Sequence, residues 1–364
     1  MSEHPVLALS AALVDGHARV QPEIEGRGPI EADRAVQFVL AAYDLATEMW
    51  FQKGETRAPQ LTNWERPWRK YGGDNPTTTY LSAPVHPAHE YRLTGENGSA
   101  LYTGVQLYTK GPGYNAPSAN ISDTALVGAD GRIDLKIGGH EPGSGQAWLP
   151  LVDDDYLVMV RLYHRAPEFH APPFAIERTD PAPTVLTSTN ERAARAEAFF
   201  RDEMLSTMAV TDTLRAAGAN AYPPPDAPVH RPRYTGALFP TLDNVYDGFF
   251  IDLQPGQALR LRGRLPKARF SSFVFYDRWF NTPDYPAHRC YRTGDDVVVD
   301  ADGSYELIVG PDNPGQPNWI DTAGLLQGII AIRCLLPEQR DLPEVEVVGG
   351  ATRSTLASSA TSER

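Results

Sequence analysis

Cysteine and positive charge are both scarce in this sequence. Its 364 residues include two cysteines, Cys290 and Cys334. Two thiols at an unrelated spacing give neither a zinc pattern nor a disulfide framework, so both are expected to pack as small apolar side chains. The 33 Lys and Arg residues against 46 Asp and Glu leave a formal net charge of −13. Because nucleic acids and anionic membranes are bound by clustered cations, we expect neither as a partner.

Long hydrophobic runs and familiar catalytic motifs are also missing. No segment approaches the roughly 20 apolar residues that span a bilayer as a helix, and the N-terminus lacks the basic start of a secretion signal. The sequence therefore predicts a cytoplasmic protein. A Gly-x-Ser-x-Gly elbow is absent, which excludes a standard α/β hydrolase. No nucleotide or metal motif is visible, so we predict no cofactor and no bound metal.

The sequence does contain a long internal repeat. Three segments return later in the same order: Asp130–Ile137, Ala147–Pro150 and Tyr156–Tyr163 come back as Asp302–Val309, Asn318–Ile320 and Gly328–Leu335. Trp148 corresponds to Trp319, and Arg161 to Arg333. Such a repeat indicates a duplicated folding unit. We interpret the shared residues as structural, the tryptophans as core plugs and the arginines as paired at a strand end.

Both copies are rich in β-branched and aromatic runs separated by turn residues. Helical patterns begin at Pro29, with apolar residues at i+3 and i+4 up to Trp50, and at Asn190. We predict a mainly β protein with two tandem jelly-roll-like β-sandwich domains, an N-terminal helical segment and a helical linker. The expected boundaries are 1–79 for the N-terminal helical segment and its aromatic, charged loop, 80–180 for the first sandwich, 181–236 for the helical and Pro-rich linker, 237–348 for the second sandwich and 349–364 for a disordered tail.

The second copy also carries an ordered set of motifs. They are Phe270–Asp277, His288–Asp295, Asp302-Gly303, Asn318-Trp319 and a final strand with Arg333. Their order resembles the bacterial family catalogued as domain of unknown function 1214, and the first copy matches more loosely. The resemblance implies a jelly-roll-like β-sandwich and no particular reaction, because the family has no general assigned activity and a fold does not supply one. In the first copy Thr109 stands where the second has Asp277, so any role tied to that acid is missing there.

The densest polar and aromatic segment, Asn63–Tyr80, joins the first helix to the first sheet. We predict that it forms a pocket wall in which Asp74 and Glu65 move protons and Arg69 holds an anionic group. Further ligand contacts are expected from Trp64, Trp68, Tyr71, Asn75 and Tyr80. The alternative is a structural lid whose charges pair with one another.

A second cluster lies in the second copy. Asp277 at the end of an apolar strand and His288 on the next element are candidates for an acid–base pair. Tyr276, Arg278 and Trp279 are the candidate ligand contacts beside them. The competing interpretation is an Asp–Arg bridge that pins a corner of the sandwich.

Metal binding is left open at two further places. Four histidines, His86, His89, His164 and His170, have no metal-ligand spacing, although strands of a jelly roll can gather histidines in space. The run Asp153–Asp155 is expected to be a solvated hairpin rather than a cation site.

These patterns favour a cofactor-independent enzyme with acid–base chemistry of the lyase, isomerase or cyclase type, acting on a small apolar or aromatic metabolite. The alternative is a non-catalytic protein that binds a saccharide or another small ligand. An enzyme should bury Asp74 beside an apolar cavity with a shifted acidity, whereas a binding module should show an open aromatic platform. A homo-oligomeric scaffold is a third possibility. We expect any chemistry to lie where the copies differ, at Asp277 and at Asn63–Tyr80.

Overall fold

The computed structural model describes residues 4–111, 114–143, 145–170, 173–181, 187–227 and 238–349. Of the expected disordered tail, 349–364, all but Gly349 lies outside the described residues. Parts of the expected linker, 182–186 and 228–236, lie outside them as well.

Three helices lie outside the sheets: α1 (Pro5–Ile24), α2 (Pro29–Ala46), which continues as a π-helical turn over Thr47–Gln52, and α3 (Thr189–Ala216). Proline in the first turn of α1 and α2 suits a helix start, since its missing N–H needs no partner there. Ser188 caps α3 in a reciprocal capping box with Glu191, two residues before the cap expected at Asn190. The sequence patterns predict α2 and α3 but miss α1. Among the described residues, no helix has both the length and the apolar content that crossing a membrane requires.

In the described part of the first copy, nine strands form two sheets. The strands are β1 (Thr62–Asn63), β2 (Thr78–Pro84), β3 (Tyr91–Glu96), β4 (Tyr102–Gly111), β5 (Tyr114–Ser122), β6 (Arg132–Ile137), β7 (Ala147–Leu149), β8 (Asp155–Tyr163) and β9 (Ala175–Arg178). One sheet has the order β1-β2-β8-β4-β5, and the other has the order β7-β6-β3-β9.

Residues 238–349, the described part of the second copy, form eight strands in two sheets. The strands are β10 (Asn244–Asp252), β11 (Gln257–Arg264), β12 (Phe270–Tyr276), β13 (Tyr291–Thr293), β14 (Ser304–Gly310), β15 (Trp319–Asp321), β16 (Gln327–Leu335) and β17 (Glu344–Gly349). Their orders, β10-β16-β12-β13 and β15-β14-β11-β17, repeat those of the first copy once the short β1 is set aside. The predicted mainly β fold of two tandem sandwiches is confirmed.

The central strands β8 and β16 are buried on both faces. In β8, Val158 and Val160 pack into the core of the first sandwich, while Leu157 and Met159 belong to a separate core with the helices. The strand β16 divides its side chains between two cores in the same way. Because successive side chains of a strand point to opposite faces, each central sheet has one face in its sandwich and another turned outwards. Those outer faces position the candidate site.

The two repeated tryptophans are equivalent, but they are not core plugs. The indole Nε1 of Trp148 donates a 3.0 Å hydrogen bond to the Gly138 carbonyl, and that of Trp319 donates one of 3.0 Å to Gly310. Both side chains are half-buried on the short strands β7 and β15. Each one fastens its short strand to the neighbouring strand, which corrects the interpretation made from the repeat.

Candidate functional site

A cavity of about 200 Å³ lies between the two copies. The strand β8 contributes Met159 and Arg161 to its wall, and β16 contributes Ile329, Ala331 and Arg333. In both strands these residues alternate with the side chains of the sandwich core. The repeated arginines, interpreted from the repeat as structural, therefore lie in the wall of a cavity.

The remaining wall is largely apolar and aromatic. It comes from the Asn63–Tyr80 loop, from α3 and from the second copy, and includes Trp64, Glu65, Tyr71, Gly73, Tyr80, Val210, Leu214, Phe239, Tyr246 and Phe280. A concave apolar wall with a few polar groups is typical of small-molecule sites, where the polar groups orient the ligand.

Each guanidinium lies against the ring of a tyrosine on the neighbouring strand. In the antiparallel registers, Tyr80 stands directly opposite Arg161 and Tyr246 directly opposite Arg333. The ring centroids lie 5.7 Å and 5.6 Å from the respective arginine Cζ atoms, which is cation–π distance. The duplication has therefore preserved an Arg–Tyr unit in each copy. Its sequence signal is a tyrosine that recurs along with the arginine.

Arg161 is held mainly by residues of the first copy. Its Nη1 donates a 2.5 Å hydrogen bond to Gln106 Oε1, and its Nη2 donates one of 2.6 Å to the Phe239 carbonyl. The ring of Tyr108 lies 5.6 Å from its Cζ. All of these partners are neutral, so none of them compensates the positive charge of the guanidinium.

Arg333 is held across the interface between the copies. Its Nη2 donates a close hydrogen bond to the Gly73 carbonyl, and its Nη1 donates one of 3.3 Å to the Tyr80 hydroxyl. Gly73 has a φ of +77°, and a Cβ there would meet Phe280 at 2.5 Å and Arg333 at 3.1 Å. Glycine is therefore required for this approach. The Nε of Arg333 is buried and has no hydrogen-bond partner in the described part of the chain.

Glu65 is half-buried and lines the cavity. Its Oε2 accepts a 3.3 Å hydrogen bond from the Asn75 amide. Burial raises the pKa of Glu65 well above its usual value, and the nearby Asp74 raises it further, while Arg333 and Arg161 oppose the shift. The neutral, protonated carboxyl is thereby favoured, and such a group can donate a proton to a ligand.

Asp74 is buried but is absent from the described cavity wall. It is 1% exposed, and its Oδ1 accepts a 2.8 Å hydrogen bond from the Thr282 amide while its Oδ2 accepts one from the Thr282 hydroxyl. Burial raises its pKa, although Lys70 and Thr282 oppose the shift. Asp74 thus fastens the Asn63–Tyr80 loop to the second copy. The carboxyl group that faces the cavity is its predicted companion, Glu65.

Arg69 and Trp68 lie away from the cavity. Arg69 donates a 2.7 Å hydrogen bond to Asp44, another to Glu48, and one of 3.0 Å to the Trp64 carbonyl, which ties the loop to α2 and the turn after it. The side chain of Trp68 is 75% exposed. The arginines that line the cavity are Arg161 and Arg333.

The other predicted residues of the loop are divided. Trp64, Tyr71 and Tyr80 line the cavity. Asn75 does not, because its amide Nδ2 donates a 3.3 Å hydrogen bond to Ser272 Oγ inside the protein. The segment is therefore part cavity wall and part anchor.

Asp277 and His288 are not brought together. Asp277 Oδ2 accepts a 2.7 Å hydrogen bond from Arg34 Nε, which forms a buried ion pair. His288 Nδ1 lies 2.8 Å from Asp321 Oδ2. The Asp277–Arg34 pair is the kind of bridge that the competing interpretation describes, and it joins α2 to the second copy.

The neighbours of Asp277 are engaged elsewhere. Arg278 donates a 2.6 Å hydrogen bond to Glu23 of α1, and Trp279 stacks on Phe38 with centroids 5.4 Å apart. Tyr276 stands behind Arg333, with its ring centroid 5.6 Å from the arginine Cζ. Of these three predicted ligand contacts, Tyr276 is the one connected to the cavity, through Arg333.

No group of three or more His, Cys, Asp and Glu within the described ranges is placed to hold a metal ion. Asp153 and Asp154 are exposed, as expected for a solvated hairpin. Asp155 is buried instead and accepts hydrogen bonds of 2.5 Å from Ser118 Oγ and 2.8 Å from the Val152 amide. This carboxylate therefore stabilises the turn that leads into β8.

The sequence matches the family model described as "Protein of unknown function (DUF1214)" at residues 77–167 and 239–339, once in each copy. No curated protein matches it. Among solved structures, an uncharacterized protein from Burkholderia cenocepacia is similar, with a TM-score of 0.84 at 21% identity over 95% of this chain and 96% of that chain. The VPA0106 protein from Vibrio parahaemolyticus gives a TM-score of 0.46 at 13% identity, over 84% and 95%. At 21% identity, the first similarity concerns the fold alone.

Proposed function

We propose a function for this chain, which belongs to the DUF1214 family of proteins of unknown function. The proposal is based on the residues that line its cavity. The protein is an acid–base enzyme that acts on a small, largely apolar or aromatic molecule held between the two copies. Family membership prescribes no reaction, so the support comes from the site itself. The observation that carries the proposal is Glu65, a carboxyl group with a raised pKa in the wall of an apolar cavity.

Glu65 is suited to give a proton to the ligand and to take one back. A general acid works best when its pKa is near the working pH, and burial moves a carboxyl group in that direction. The guanidiniums of Arg161 and Arg333 act electrostatically on Glu65 and would stabilise negative charge that develops on the ligand. Lyase, isomerase and cyclase reactions that proceed by proton transfer fit this set of groups.

The first test compares wild type with Glu65→Gln. Each protein is incubated with a mixture of small apolar and aromatic metabolites in deuterated water, and conversion or deuterium uptake is followed by mass spectrometry. Glutamine keeps the size of the side chain and can accept the Asn75 hydrogen bond, but it cannot transfer the proton. We expect conversion to fall about 100-fold or more.

Glu306→Gln serves as the matched control, because it makes the same exchange on a strand position away from the cavity, where Glu306 pairs with Arg262. It should leave conversion per folded molecule within a few-fold of wild type. Equal conversion by wild type and Glu65→Gln would refute the proposal. Binding of a metabolite by wild type without any conversion would favour the non-catalytic alternative instead.

A further inference from the structure

We propose that the ligand of this cavity is a small organic anion, with its charged group held by Arg161 and Arg333 and its apolar body against the aromatic wall. The inference rests on the proposed function for the choice of cavity and adds the class of ligand. It requires binding, not catalysis.

The positive charges of Arg161 and Arg333 have no paired carboxylate among the described residues. Arg161 is 4% exposed and Arg333 is 7% exposed. Neither forms an ion pair with a carboxylate in the described part of the chain, and their hydrogen-bond acceptors are neutral oxygens. These are Gln106 Oε1 and the Phe239 carbonyl for Arg161, and the Gly73 carbonyl and the Tyr80 hydroxyl for Arg333. Buried charges are costly unless an opposite charge compensates them, so an anion entering the cavity would be stabilised.

The carboxyl groups of the described wall do not supply that compensation. Asp247 forms a close ion pair with Arg340. The Oε2 of Glu65 accepts its hydrogen bond from the backbone amide of Asn75, and Glu65 forms no ion pair with either arginine among the described residues. The two guanidiniums therefore line the cavity without a paired carboxylate.

Tyr80 contacts both arginines. Its ring centroid lies 5.7 Å from Arg161 Cζ, and its hydroxyl accepts a hydrogen bond of 3.3 Å from Arg333. The two cations therefore share one neighbouring side chain. Arg333 Nε, buried and without a partner among the described residues, remains available to an acceptor. A planar guanidinium with a free N–H suits a carboxylate or a phosphate oxygen.

The remaining wall of the cavity is largely apolar and aromatic. Trp64, Met159, Phe239, Phe280 and Ile329 contribute apolar surface. These side chains would cover the uncharged body of a ligand. A single anionic group on an apolar or aromatic body therefore matches the wall better than a neutral saccharide does.

The test uses matched acids and amides as probes on the whole protein in a low-chloride buffer. The pairs are benzoate with benzamide and phenylacetate with phenylacetamide, and phenyl phosphate is added to distinguish the two kinds of acid. Calorimetry and the shift in Tm report binding. We expect at least one acid to bind 10-fold or more tightly than its amide. If the amides bind as well as the acids, or if none of the acids binds, the proposal is overturned.

Arginine variants locate the anion. Arg333→Gln and Arg161→Gln should each weaken binding of the acid 10-fold or more and leave binding of the amide unchanged. Arg262→Gln is the control, because it removes the same charge from an exposed strand position, where Arg262 pairs with Glu306 at 2.7 Å. Equal binding by Arg333→Gln and wild type would contradict the assignment. Arg333→Lys keeps the charge if the glutamine variant fails to fold, and the acid-to-amide ratio of wild type is independent of any variant.

Glu65→Gln separates this inference from the proposed function. This variant should lose conversion, whereas the acid-to-amide difference of wild type depends on Arg161 and Arg333 and needs no conversion. Normal conversion by Glu65→Gln together with acid binding that needs Arg333 would overturn the enzyme and leave the anion site. Loss of conversion with equal binding of acids and amides would do the reverse.

Discussion

The two copies have the same strand order but hold their central arginines differently. Arg161 donates one hydrogen bond to Gln106 of its own sheet and one to the Phe239 carbonyl of the second copy, whereas Arg333 donates to Gly73 and Tyr80 of the first half of the chain. The duplication thus supplies two similar cations, and the loop that precedes the first copy makes their surroundings unequal. A symmetrical scaffold with one unrepeated loop can hold a ligand in a defined orientation. The candidate site combines the repeated arginines with the unrepeated Glu65.

The largest difference between the copies should appear when Asp277 is removed. In Asp277→Ala, Arg34 keeps a buried charge without its partner, and the amides of Trp279 and Asn281 lose acceptors at 2.9 Å and 3.0 Å. Breaking one side of a buried ion pair costs about 3–5 kcal/mol. Urea denaturation should show a loss of free energy of unfolding of that size.

The matched change in the first copy is Thr109→Ala. Thr109 follows Tyr108 as Asp277 follows Tyr276, and its hydroxyl makes a long hydrogen bond of 3.4 Å to the Ala116 carbonyl. Losing one such bond should cost below about 1.5 kcal/mol. Similar losses in the two variants would show that the missing acid of the first copy is replaced by something else.

The helix α3 packs apolar residues against both copies, and it adds a buried carboxyl group on the side of the first copy. Its Glu203 is 1% exposed and accepts a 3.2 Å hydrogen bond from Asn115 of the first copy. Farther along, Val210 and Leu214 pack into an apolar core of the second copy. The contact with the first copy should therefore depend on pH, and the contact with the second should not.

Burial raises the pKa of Glu203 from 4.5 to about 7, although Lys110 and Asn115 oppose the shift. Between these values the folded protein retains a proton that the unfolded chain has released. The free energy of unfolding contributed by Glu203 therefore falls as the pH rises through this window, by about 3 kcal/mol in all. Glu65 and Asp74 also have raised pKa values, so the test is the difference in slope between wild type and Glu203→Gln in denaturation curves from pH 4.5 to 8. Val210→Ala is the control and should lower stability equally at each pH, so equal slopes in wild type and Glu203→Gln would assign the effect to another group.

The sequence predicts the scaffold well because the repeat and the alternation of apolar with polar residues can both be read from the order of residues alone. The order of the shared motifs indicates two sandwiches, and the alternation in Arg132–Ile137 marks a strand with one buried face. The helix α1 is missed, since its apolar side chains include exposed residues such as Val6 and Val14. Its packing is decided by contacts with α2 and α3 that no local pattern reveals.

The candidate site is less predictable for a related reason. The sequence singles out Asn63–Tyr80 and includes Glu65, but it also assigns proton transfer to Asp74, which does not line the cavity. Thr282, far along the chain, takes both oxygens of Asp74. Arg161 and Arg333 are repeated and so were assigned to folding, although repetition equally preserves a cavity that both copies build. Only the packing of the two sheets distinguishes these meanings.

The smallest predicted effects test how equal the copies are where they look most alike. Trp148→Phe and Trp319→Phe each remove one 3.0 Å hydrogen bond from an indole to a glycine carbonyl, and each leaves a half-buried ring in place. Each should cost about 1 kcal/mol in urea denaturation. The two losses should agree within about 0.5 kcal/mol and add in the double variant, as expected for separate sites. A loss at one tryptophan more than twice that at the other would show that the asymmetry of the central sheets extends to the outer strands, and that the copies differ in stability as well as in how they hold their arginines.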